Sequence, residues 1–185
     1  MKKKIISTII LFHIILNFSL ISYSYTVPIW IKNDGTTEVN ADSADNFLNI
    51  ESESAILIEQ TTGKILFEKN SHEKLRPASI TKIMTLLLVM EALQRGEITL
   101  ETPIPCSENA SNKGGSQIWL NETETLTVHE MLKAVCIASA NDCSMALCEY
   151  LAGSEELFVQ KMNQRAKELG MNDTTFKNCH GIDED

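Results

Sequence analysis

Two short spellings in this sequence could carry nucleophilic chemistry. Ser79-Ile80-Thr81-Lys82 sets a hydroxyl and an amine three residues apart, and Ser139-Ala140-Asn141 sets a hydroxyl and an amide two apart. Residues three apart on a helix share a face, so Ser79 Oγ and Lys82 Nζ can meet. A serine hydroxyl is a weak nucleophile until a base takes its proton. A lysine serves as that base only when neutral, which burial or a neighbouring cation favours. The first turn of a helix also offers free backbone N–H groups where negative charge would develop on an attacked carbonyl. Taken alone, the first spelling suits a solvent-facing helix start equally well, with Ser79 as cap and Lys82 snorkelling to water. Ser71-His72-Glu73-Lys74 has the same spelling in a polar stretch and reads as a solvated turn. Ser79 differs because it follows Arg76-Pro77-Ala78 and opens a long apolar run, in which Lys82 is the sole charge over residues 80–90. Ser139 could relay a proton and Asn141 could hold a substrate carbonyl. Ser139-Ala140-Asn141 and its decoy Ser107-Glu108-Asn109 both also fit a helix junction with a capping serine.

The elements that must position these residues are readable in outline. Residues 80–94 are apolar and rich in good helix formers, which predicts a helix buried on most sides and closed by Gly96. Upstream, 55–58 and 64–67 are strand-like around Thr61-Thr62-Gly63, a hairpin pattern. Residues 97–125 read as loops with short elements. Thr127 and Glu130 spell a capping box that opens a helix to about Ala138. A second helix is expected over about 142–151, and a third with Ser154 as N-cap that stops at Gly170. The fold class is therefore α/β in the α+β sense: a hairpin followed by a helical block. Two strands alone make a marginal sheet, so the sequence reads as ending inside a domain.

Lys2, Lys3 and Lys4 precede an apolar run over 5–21 and then Ser22-Tyr23-Ser24, the layout of a secretory signal peptide over residues 1–24. An uncleaved anchor is the alternative, disfavoured by Ser7, Thr8, His13, Asn17 and Ser19 within the run. Residues 25–53 form a polar leader, and the folded part starts at Ser54. The 185 residues carry a net charge of −9, and cleavage would remove three lysines, so the exported chain would be more acidic still. No Lys/Arg cluster suggests a nucleic-acid surface. The five cysteines form no Cys-x-x-Cys pair and lack histidines at zinc spacing. Cys136 and Cys143 would stand roughly 10 Å apart along a helix, too far for a disulfide, so Cys136, Cys143 and Cys148 read as small buried hydrophobes. His129 reads as exposed in the first turn of its helix. No metal or cofactor is expected.

Ser-x-x-Lys followed by Ser-x-Asn resembles the signature of penicillin-binding proteins and serine β-lactamases, completed in them by Lys-Thr-Gly. The stretches around Ser54, Thr62-Gly63-Lys64, Arg76-Pro-Ala-Ser-Ile-Thr-Lys82, Gly114-Gly-Ser-Gln117, Ala138-Ser-Ala-Asn-Asp142 and Glu168-Leu-Gly-Met171 look like the low-molecular-mass D-alanyl-D-alanine carboxypeptidases. The likeness runs from about Ser54 to Ile182. It implies a penicillin-binding protein/β-lactamase-like transpeptidase fold, with 54–185 as its N-terminal part and the sheet incomplete. It also implies roles. Ser79 would attack the penultimate D-alanine carbonyl of a peptidoglycan stem peptide, with Lys82 as base. Ser139 would relay the proton to the leaving amine, Asn141 would bind the peptide, and β-lactams would acylate Ser79. Such proteins work at the outer face of the cytoplasmic membrane or in the cell wall. Lys-Thr-Gly is absent from these 185 residues, which implies impaired activity, since losing one oxyanion donor alone costs roughly 10²–10³ in rate. Two other readings stay open: a non-catalytic module binding wall precursors or penicillin, and a β-lactamase. Ala140 stands where class A β-lactamases normally carry Asp.

Overall fold

The computed structural model describes Leu48 and residues 50–183. The expected signal segment, 1–24, and most of the expected polar leader, 25–53, lie outside the described residues. The chain divides at Ser71 into two compact units.

The first unit holds the expected hairpin. β1 (Ala55–Ile58) pairs antiparallel with β2 (Ile65–Lys69), with a register irregularity between Leu57 and Ile58. The turn is held by one side chain. The Glu59 carboxylate accepts from Thr61 N at 2.9 Å, Thr62 N at 2.7 Å and Thr62 Oγ1 at 2.5 Å. These donors, the Thr62 hydroxyl foremost, pull its carboxyl down to about 2. Gly63 takes the left-handed conformation (φ +71°) that the turn requires.

The second unit is the helical block. A 3₁₀ turn, Ala78–Thr81, leads into α1 (Lys82–Gln94). The sequence suggested one continuous helix from about Ile80. The turn is tighter because Pro77 precedes it and Ala78 sits at φ +47°, outside the helical region. Further on come β3 (Pro103–Pro105), the short α2 (Glu108–Ser111), β4 (Thr125–Thr127), α3 (Val128–Ala138), α4 (Asn141–Ala152) and α5 (Glu155–Glu168). β3 and β4 form a second antiparallel ladder, pairing Ile104 with Leu126, a contact between residues too distant in sequence for local pattern to reveal.

Caps account for the boundaries. Thr127 makes the predicted capping box with Glu130 at the start of α3. Ser154 accepts from Leu157 N to start α5, which carries Glu155 and Glu156 in its first turn and Arg165 and Lys167 in its last, charges that suit the helix dipole. Helix α4 is central. Residues 141–148 are all buried, and the helix packs against α1, α2, α3 and α5. Val89, Val128, Met131, Phe158 and Met162 complete the core around its own Met145 and Leu147.

Helix α1 is covered on most sides, as expected, with Met84, Val89 and Ala92 facing the core and Ile83 and Met90 open at 65% and 53% exposure. One expectation needs correction. Cys136 is exposed, while Cys143 and Cys148 are buried as expected. At about 100° per residue, Cys136 falls a quarter-turn or more round α3 from Val135 and Met131, off the buried stripe. His129 is exposed, as expected.

Candidate functional site

Ser79 lies in the 3₁₀ turn and is exposed, whereas Lys82, at the first position of α1, is 3% exposed. Lys82 Nζ donates to Ser79 Oγ at 3.1 Å and to the His180 carbonyl at 2.9 Å. Burial pushes the Lys82 amine below its ordinary value of 10.5, with the nearby Cys179 thiol acting in the opposite sense. Once the amine is neutral, the same 3.1 Å contact lets Ser79 O–H donate to Nζ, the direction that activates a nucleophile. The Ser79–Lys82 contact foreseen from spacing therefore forms, although across a 3₁₀ turn rather than within one α-helix.

The carbonyl that receives Lys82 comes from a segment that sequence reasoning did not single out. Asn178 Oδ1 accepts from His180 N at 3.2 Å and Gly181 N at 2.6 Å, while its Nδ2 donates to Ile182 O at 2.7 Å. This side chain folds 178–182 into a tight loop. Thr85 Oγ1 donates to the Cys179 carbonyl at 2.6 Å, so two successive carbonyls of the loop are gripped by α1. Glu155 holds the loop from behind, accepting from Cys179 N at 3.3 Å and lying 3.6 Å from His180 Nε2, with Lys113 Nζ 3.2 Å away on its other oxygen. His180 Nδ1 accepts from Ile182 N at 3.2 Å, which assigns the ring proton to Nε2, facing Glu155. The available signal was Asn178 three residues before Gly181, a turn spelling.

Gly181 has φ +89°, and a Cβ there would fall inside the Ala78 carbonyl. The loop can lie against the Ser79 turn only because this residue has no side chain.

Ser139 and Asn141 flank the α3–α4 junction, as expected. Ser139 terminates α3 in the left-handed conformation (φ +55°) and Asn141 opens α4. Asn141 is gripped by 114–116: its Nδ2 donates to Gly114 O at 2.7 Å and its backbone N to Ser116 O at 2.7 Å. A Cβ on Gly115 would stand 2.7 Å from Asn141 Nδ2 and 3.6 Å from Ile182 Cδ1. The 178–182 loop therefore touches the Ser79 turn at Gly181 and the Asn141 cradle at Ile182, linking two motifs that are sixty residues apart in sequence. Asn141 Oδ1 is buried with no hydrogen-bond partner among the described residues. A buried acceptor left unpaired is costly and is suited to an N–H donor brought by a ligand.

Asp142, fully buried, stabilises the cradle. Its carboxylate accepts from Ile118 N at 3.1 Å, Leu120 N at 2.9 Å and Cys143 N at 2.9 Å. Burial, with Asp142 alongside, pushes the Cys143 thiol up to about 12. The Cys148 thiol and burial likewise raise Cys179. These thiols are packing groups rather than nucleophiles. Ser107 proves to be a plain helix cap, accepting from Ala110 N at 2.9 Å.

A buried lysine against an exposed serine at a helix start, with a hydroxyl-x-amide junction in the same unit, is the arrangement that the resemblance to penicillin-binding proteins implied. Residues 38–185 match the D-alanyl-D-alanine carboxypeptidase family of peptidases, and the chain belongs to that family. The D-alanyl-D-alanine carboxypeptidase DacF of Bacillus subtilis (strain 168) is 46% identical over 185 residues, covering 99% of this chain and 43% of that protein. DacC of Escherichia coli (strain K12) is 38% identical over 141 residues, covering 73% of this chain and 35% of its own length. The chain thus spans less than half the length of these relatives. Among solved structures, the carboxypeptidase DacD from Francisella tularensis superposes with a TM-score of 0.73 at 32% identity, over 85% of this chain and 38% of that one. Penicillin-binding protein D2 from Listeria monocytogenes, in its ampicillin-bound form, superposes with a TM-score of 0.66 at 28% identity, over 75% of this chain and 55% of that one. The mixed helical and small-sheet architecture is that of this fold, represented in part.

Proposed function

We propose that this chain carries the acylating half of a serine-type D-Ala-D-Ala carboxypeptidase acting on peptidoglycan stem peptides. The observation that carries the reading is the Lys82 amine, 3% exposed and with its pKa lowered by burial, 3.1 Å from an exposed Ser79 hydroxyl. Ser79 Oγ attacks the carbonyl of the penultimate D-alanine as its proton passes to neutral Lys82. Collapse of the tetrahedral intermediate expels the terminal D-alanine, whose amine takes a proton through Ser139. Water then hydrolyses the ester on Ser79, releasing the shortened peptide. Asn141 holds the peptide chain, and its unpaired Oδ1 supplies an acceptor for an amide N–H. β-Lactams acylate the same serine, a reading supported by the similarity to an ampicillin-bound protein. Segment 1–24 exports the chain to the outer face of the cytoplasmic membrane, where this substrate is found.

The test is intact-protein mass after incubation with a fluorescent penicillin. An adduct that disappears in Ser79→Ala supports the reading. A folded chain that gains no adduct refutes it.

A further inference from the structure

We infer that Trp119 is a specificity-determining residue, an aromatic wall for the part of the stem peptide that precedes D-Ala-D-Ala; the inference rests on the carboxypeptidase reading of the site. Trp119 is 79% exposed, an unusual position for the largest apolar side chain. Its backbone has φ +63°, a conformation that bulky residues rarely adopt. The cause is visible on both sides. The amides of Ile118 and Leu120 both donate to one carboxylate oxygen of the fully buried Asp142, at 3.1 and 2.9 Å. Leu120 turns into the core at 4% exposure, and Trp119, pinned between two inward-facing amides, is turned outward. Strained backbone that its surroundings hold in place clusters at functional sites.

The strap that presents Trp119 is the one that grips Asn141. Gly114 O and Ser116 O receive the Asn141 side chain and backbone, and Asp142, the next residue, receives Ile118 and Leu120. Trp119 is three residues beyond Ser116 and so within about 10 Å of it along the chain. An extended peptide rises about 3.3 Å per residue. A stem peptide held by an amide at Asn141 therefore has the indole within reach of its neighbouring residues, and the inference assigns to it those that precede D-Ala-D-Ala. The indole suits the aliphatic stem of a diamino acid at that distance, because long side chains lay their methylenes on apolar surface.

The experiment uses the full chain carrying Ser79→Ala, to prevent turnover, and Trp30→Phe, to leave Trp119 as the sole tryptophan. Its emission is followed while a pentapeptide ending in L-Lys-D-Ala-D-Ala, or N-acetyl-D-Ala-D-Ala, is added. The expected result is an emission change with the pentapeptide. By isothermal titration calorimetry, Trp119→Ala should bind the pentapeptide roughly tenfold more weakly, with Trp119→Phe restoring most of the affinity and the dipeptide losing much less. A generally damaged site would weaken both ligands alike, and that result overturns the inference, as does an unchanged emission. Failure of the parent serine protein to form a penicillin adduct overturns the carboxypeptidase reading, and this inference with it.

Discussion

Replacing Gly181 with alanine tests the architecture of the site most severely. Gly181 sits at φ +89°, and a Cβ there would fall inside the Ala78 carbonyl, 2.5 Å from its carbon and 2.9 Å from Thr81 Oγ1. Neither partner is a flexible side-chain tip. Ala78 immediately precedes Ser79 and is itself held at φ +47°. Either the Ser79 turn shifts, or the 178–182 loop withdraws and takes the His180 carbonyl from Lys82, now 2.9 Å away. The left-handed backbone costs an alanine about 1–2 kcal/mol, and forcing atoms into a packed contact adds about 1–3 kcal/mol. The expected loss is therefore about 2–5 kcal/mol. Gly153→Ala is the control: φ is +85° there, but a Cβ would meet nothing within 4 Å. It should lose only the conformational part, about 1–2 kcal/mol. Urea unfolding gives both stabilities, and penicillin adduct formation at low temperature reports the site. Gly181→Ala should acylate at least about tenfold more slowly, and Gly153→Ala should be unaffected. Equal stability losses in the two variants would refute the close approach of Gly181 to Ala78.

Three further outcomes are expected. Lys82 has a folded-state pKa below its ordinary 10.5, so between those two values the unfolded chain binds more protons and stability rises with pH. Unfolding measured across that window should show the rise in the parent and not in Lys82→Met; parallel curves would exclude a depressed amine. Asp142→Asn places an NH₂ or a neutral oxygen where a buried carboxylate accepts from Ile118 N and Leu120 N, and should cost ~2–4 kcal/mol in urea unfolding. A loss below about 1 kcal/mol would mean the strap is held by something else. Thr127→Ala removes the capping box of α3 and should cost about 1 kcal/mol, read from the thermal transition; an unchanged transition would show that the box contributes nothing.

What was legible in the sequence is what local physics decides. The capping box at Thr127, the cap at Ser154 and the turn at Gly63 each depend on residues within a few positions, and each formed where the spelling put it. The Ser79–Lys82 contact was legible for the same reason: three residues along a turn bring the two groups together. Helix α1 shows the limit. Its composition says apolar and mostly covered, but which positions stay open depends on neighbours, and nothing in the spelling singles out Ile83 and Met90 as the open ones. Only the tertiary structure brought the 178–182 loop to Lys82. His180 is 98 residues from the lysine it receives, and Cys179 is 94 from Thr85. That partnership rests on backbone carbonyls, which every residue carries, and on the missing side chain of Gly181. The turn spelling at Asn178 and Gly181 marks a loop but not its partner, so a site whose nucleophile was spelled in four letters holds its base against a loop whose destination only packing decides.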